Sequence, residues 1–117
     1  MLLICLELIL DSSALRRQPD LINFSNLVIS HIPAKWQLFG IQLGFSKDDM
    51  DRIEQDCQGA NHSQKCFIAV FNEWEKQSGG SQNIKEFTWS TVVKILSRRF
   101  LCESRVANAV YTYCHKQ

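Results

Sequence analysis

One spacing recurs in three stretches of this chain and leaves few folds open to it. Trp36, Phe39, Gly40 and Leu43 stand at i, i+3, i+4 and i+7. Phe67, Val70, Phe71 and Trp74 repeat the pattern, and Trp89, Val92, Val93 and Leu96 repeat it again. At about 100° per residue, these positions fall on one side of an α-helix. An apolar stripe has to be covered, so three in succession require several short helices around a shared core. Two prolines and five glycines in 117 residues are too few for a turn-rich all-β chain. At this length the chain makes one domain, and folding buries about two-thirds of its unfolded surface. The expected architecture is all-α, a six-helix bundle.

Local signals mark the helix boundaries. Asp20 heads a helix to about His31, with Leu21, Phe24, Leu27 and Val28 on one side and Pro33 ending it. A second helix covers residues 34–43, with Gly44 as a left-handed C-terminal cap. Ser46 opens the third, with Asp48 and Asp49 in a first turn that favours negative charge and Met50, Ile53 and Cys57 on the apolar side. Gly59, Ala60 and Asn61 break the chain, and Ser63 is expected to cap the fourth helix. Residues 77–83 (QSGGSQN) read as a flexible loop. Thr88 caps the fifth helix, and the sixth covers about 103–115 with Val106, Ala109, Val110 and Tyr113 aligned.

The bundle is expected to occupy 20–117, leaving 1–19 as an apolar N-terminal stub or an extra helix. Its opening run, MLLICLELIL, has no Lys or Arg before it and is interrupted by Glu7. It is also far shorter than the roughly 20 residues of a membrane span, so neither a signal peptide nor a membrane helix is expected.

The formal net charge is +1, which disfavours a general binder of nucleic acid or anionic membrane. Five cysteines, an odd number without a CxxC pair, read as reduced thiols and point to the cytoplasm. Cys57, His62 and Cys66 bring three possible zinc ligands into ten residues. Cys57 shares the apolar side with Met50 and Ile53, however, where a thiol behaves as a small hydrophobe. No metal or other cofactor is expected. No P-loop, GxSxG or HExxH is present, and nothing marks a nucleophile with its base, so neither an enzyme nor a small-molecule substrate is expected.

The run Trp36-x-x-Phe39-Gly40-x-x-Leu43-Gly44, followed by Ser46 and Ile53, resembles the second and third helices of death domains. Phe71-Asn72-Glu73-Trp74 is similar to the end of that family's fourth helix, Thr88 to Leu96 to its fifth, and Val106 to Val110 to its sixth. The resemblance covers about residues 20–114. Two departures are the long link over 77–87 and the absence of a glycine between the fifth and sixth helices. The resemblance implies an antiparallel, Greek-key-like death fold that binds other death-domain proteins, or further copies of itself, without catalysis. It implies an adaptor in apoptotic or inflammatory signalling.

For such a module the informative quantity is where the charge lies. Residues 46–56 hold five acids (Asp48, Asp49, Asp51, Glu54, Asp56) and two bases (Lys47, Arg52), a local charge of −3. Turning Met50, Ile53 and Cys57 inward sends Asp48, Asp51, Arg52 and Gln55 outward, the expected acidic contact face. Residues 94–105 hold four bases (Lys94, Arg98, Arg99, Arg105) and one acid (Glu103), a local charge of +3. Lys94 and Arg98 point outward by the same rule and form the expected basic face. Trp36, Leu43, Ile53, Phe71, Trp74, Trp89 and Leu96 are assigned to the core. The competing assignment is a small helical nucleic-acid-binding domain using Lys94, Arg98, Arg99 and Arg105, against which the acidic third helix and neutral total weigh.

Overall fold

The computed structural model describes residues 13–78, 80, 83–98 and 101–116. These residues form six helices and no strand. α1 (Leu21–Phe24) begins at Asp20, whose carboxylate accepts the Asn23 backbone N–H at 3.0 Å. It runs directly into a π-helical segment, Ser25–Ile29, in which the Ser30 N–H reaches back five residues to the Ser25 carbonyl at 2.9 Å. Val28 and Ile29 of this segment are buried with Phe24, and Leu27 is half-buried. The periodicity predicts a regular helix over this stretch, and the structure has this wider turn instead.

A 3₁₀ turn, Pro33–Lys35, leads into α2 (Trp36–Leu43). Then come α3 (Lys47–Asp56), α4 (His62–Gln77), α5 (Trp89–Leu96) and α6 (Ser104–Lys116). Gly44 closes α2 at φ 112°, and the Phe45 N–H returns to the Gly40 carbonyl at 3.1 Å. A side chain at Gly44 would run into the backbone carbonyl of Asn83. Close by, the Lys85 N–H donates to the Leu43 carbonyl at 2.9 Å, so this corner fastens the segment leading to α5. Gly44→Ala therefore meets both an unfavourable φ and a backbone collision. It should lower stability by about 1–3 kcal/mol, read as a lower urea midpoint. An unchanged midpoint would show that the segment around Asn83 yields freely.

Ser46 and Asp49 exchange hydrogen bonds in a capping box, each at 3.1 Å. Thr88 caps α5 by accepting the Thr91 N–H at 3.3 Å. The start of α4 differs from expectation, because Ser63 lies inside the helix. The chain turns instead at Asn61, with φ 57°, one of the few residue types that tolerates this left-handed region. α6 is rotated relative to the expected alignment: Val106, Ala107, Val110 and Cys114 are buried, Ala109 is exposed and Tyr113 is half-buried. It packs on α5 and also on the Ser13–Arg16 turn, and the second contact draws Ala107 and Cys114 inward.

That turn joins the N-terminal segment to the bundle. Leu15 is wholly buried, the Arg17 carbonyl accepts the Trp89 N–H at 3.0 Å, and Arg17 Nη2 donates to the Cys114 carbonyl at 2.9 Å. The apolar run over residues 1–10 lies outside the described residues, as do 79, 81 and 82 of the expected flexible loop.

Trp36, Leu43, Ile53, Phe71, Trp74, Trp89 and Leu96 are all buried. Aromatic rings run through the centre: Phe24 lies 4.7 Å from Phe71 and Trp74 lies 4.8 Å from Phe87, centroid to centroid. Gly40 has no Cβ, and the Met50 thioether of α3 fills the space one would take. No helix among the described residues is long and apolar enough to cross a membrane.

Candidate interaction surface

α3 presents its charge because its two apolar anchors are fixed inward. With Met50 and Ile53 buried, Asp48, Asp51, Arg52 and Gln55 are exposed, as is Asp56. Not all five acids share that face. Asp49 is half-buried, and its carboxylate serves the cap and receives Arg52 Nη2 at 3.5 Å. Asp48, Asp51 and Asp56 are the exposed acids of α3 left for a partner.

The basic run is divided more sharply. Lys94 lies in the last turn of α5 and Arg98 two residues past its end, and both are exposed. Arg105 is exposed in the first turn of α6, and Arg99 lies outside the described residues. Glu103 is taken by Lys35, whose Nζ approaches Oε2 to 2.6 Å and also donates to the Leu101 carbonyl at 2.7 Å. Arg98 Nη1 donates to Gln42 Oε1 on α2 at 2.9 Å, which holds the guanidinium against that helix. α2 packs on both α3 and α5, so it connects the elements carrying the two faces.

Sequence reasoning passed over Lys35 and Gln42, whose partners lie 68 and 56 residues away. It also passed over Leu38 and Ile41, which are 41% and 42% exposed. The 100° rule applied to α3 places both on the outer side of α2, opposite Trp36, Phe39 and Leu43.

Cys57, His62 and Cys66 do converge where α3 gives way to α4. His62 Nδ1 donates to the Cys57 carbonyl at 2.7 Å, and the Cys66 sulfur lies 3.8 and 3.7 Å from the two ring nitrogens. The imidazole thereby satisfies a carbonyl at the end of α3, where helices leave such groups unpaired. Among the described residues, no group of three His, Cys, Asp or Glu side chains is placed to hold a metal.

Burial, reinforced by the neighbouring Cys57, pushes the Cys66 thiol from an ordinary 9.0 up to about 12. Burial raises Cys114 to about 11, against an opposing pull from Arg17. Both folded values lie above the unfolded one, so between about pH 9 and 11 the unfolded chain releases protons that the folded chain keeps. Each thiol then lowers stability by up to about 1.4 kcal/mol per pH unit. Thermal melts should show Tm falling over this range, less steeply in Cys66→Ala. Parallel pH profiles for the two proteins would contradict the assignment.

No family model, curated protein or solved structure matches the chain.

Proposed function

We propose that this chain is a death-fold interaction module, an antiparallel, Greek-key-like bundle that recruits death-domain proteins and further copies of itself in cytoplasmic signalling of the apoptotic or inflammatory kind. The observation that carries the reading is the separation of charge: Asp48 and Asp51 stand exposed on α3, Lys94 stands exposed on α5 and Arg98 just beyond its end, in a chain with a net charge of +1. Opposite patches on different elements favour a heterologous, head-to-tail contact, which repeats along a ring or an open helix. Charge complementarity sets partner choice and encounter rate more than affinity. The residues that resemble the family's helices supply much of the core, with Trp36, Leu43, Ile53, Trp74, Trp89 and Leu96 all buried. The work of such a module is recruitment rather than catalysis: chains brought together raise one another's local concentration.

Sedimentation velocity over a range of protein concentrations tests this. Self-association at low salt that weakens at high salt is the expected result, because exposed charges are screened. A chain that stays monomeric at every concentration contradicts the reading. A salt-sensitive gel shift with duplex DNA would replace it with the nucleic-acid assignment.

A further inference from the structure

The basic face has an apolar centre that its charges conceal. Leu38 and Ile41 are one turn apart on the outer side of α2, and both are more than two-fifths exposed. Ile22, more exposed still, lies on α1. Gln42 follows Leu38 by one turn and holds the Arg98 guanidinium at 2.9 Å, so a cation just past the end of α5 is fixed beside the aliphatic pair. Only Nη1 is engaged in that bond, and the other guanidinium donors can meet a carboxylate. A buried aliphatic pair with a charged rim is the usual anatomy of a binding contact.

A groove beside the Ser13–Arg16 turn holds Arg17 and so repels a cationic partner; two further open grooves among the described residues remain to compare. One, of about 490 Å³ between the π-helical segment and α6, has Leu27 and Tyr113 in its walls but is flanked by Arg105 and Lys116. A second copy bringing Arg98 and Lys94 there would meet its own charge. The other, of about 250 Å³ between α3 and α4, has Ile53, Cys57 and Ala69 in its walls; of its four charged residues, Asp56 and Glu73 are acids, Lys76 is a base, and Arg52 is already drawn to Asp49. A cavity of ~150 Å³ is enough to take benzene, so this groove has room for an aliphatic side chain. Charge decides between them in favour of the smaller groove.

We infer that Leu38 and Ile41 of one copy seat in the α3–α4 groove of a second copy, with Arg98 directed to Asp56 and Glu73. This rests on the interaction-module reading and specifies the contact. The two surfaces lie on different elements of each chain, so each copy keeps one free knob and one free groove, and the contact propagates.

Two variants and their mixture test it by sedimentation. Ile41→Asp spoils the knob and leaves the groove, whereas Ala69→Arg fills the groove and leaves the knob. Each alone should self-associate at least about tenfold more weakly than the wild type. Mixed in equal amounts they retain one intact junction per pair and should form a heterodimer that grows no further. Melting curves establish that both fold, and Glu73→Lys on the groove rim replaces Ala69→Arg if that variant does not. A mixture that stays monomeric overturns the contact. So does undiminished assembly of both variants when reversal of Asp48 and Asp51 disperses the chain, which leaves the broader reading standing. A wild type that never associates overturns both.

Discussion

Trp74→Ala should lower the melting temperature by roughly 15–30 °C, the largest stability loss expected of any single substitution in this bundle. Trp74 is wholly buried and meets Phe39, Phe71 and Phe87 edge-on at centroid distances of 6.2, 6.3 and 4.8 Å. Removing so large a core side chain costs about 3–5 kcal/mol through lost burial and the cavity left behind. Its indole N–H also donates to the Lys85 carbonyl at 2.9 Å, so the variant strands an acceptor in the segment leading to α5. Against a total stability of about 5–15 kcal/mol, that is enough to abolish cooperative unfolding in a marginal domain. Trp74→Phe keeps ring contacts and loses the N–H, so it should fall between the two. Circular dichroism melts measure all three. A Tm for Trp74→Ala close to the wild-type value would mean that Phe39 and Phe87 close over the gap.

The second large effect is on assembly. Reversing Asp48 and Asp51 together to lysine should eliminate self-association while leaving helicity and Tm nearly unchanged. Both side chains are exposed, and the α3 cap depends on Ser46 and Asp49 instead. Substitutions on such a surface shift stability by about 0.5 kcal/mol or less. Like charges placed across an interface cost several kcal/mol, which is sufficient to disperse a weak complex. Size-exclusion chromatography beside a far-ultraviolet dichroism spectrum reads both quantities. An unchanged elution volume would remove the acidic face from the account.

The features legible in the sequence are those decided within a few residues. Ser46, Thr88, Asp20 and Gly44 cap their helices as read, because a cap is a hydrogen bond or a backbone angle set by immediate neighbours. The burial of Val92, Val93 and Leu96 follows from spacing alone. What escaped depends on distant partners. The π-helical turn over Ser25–Ile29 has no local signal in the sequence. The inward face of α6 depends on a turn some ninety residues earlier, where Leu15 and Arg17 engage the bundle. Phe45, Phe87 and Leu101 are buried although they lie between helices, where periodicity says nothing. The charged faces divide in the same way. Their outward direction follows from helix geometry, whereas the pinning of Arg98 by Gln42 and of Glu103 by Lys35 appears only once α2 packs beside the end of α5.

In the proposed assembly the acidic face of one chain meets the basic face of another. Zero-length carbodiimide coupling joins a carboxylate to an amine only where the two are in contact, so it reports that junction chemically. In a mixture of isotopically light and heavy protein, the Lys35–Glu103 ion pair, at 2.6 Å, provides the internal control and should appear only within single chains. Mixed-isotope peptides joining Lys94 to Asp48 or Asp51 are the expected result. Products confined to Lys35–Glu103, with no coupling between light and heavy chains, would contradict it.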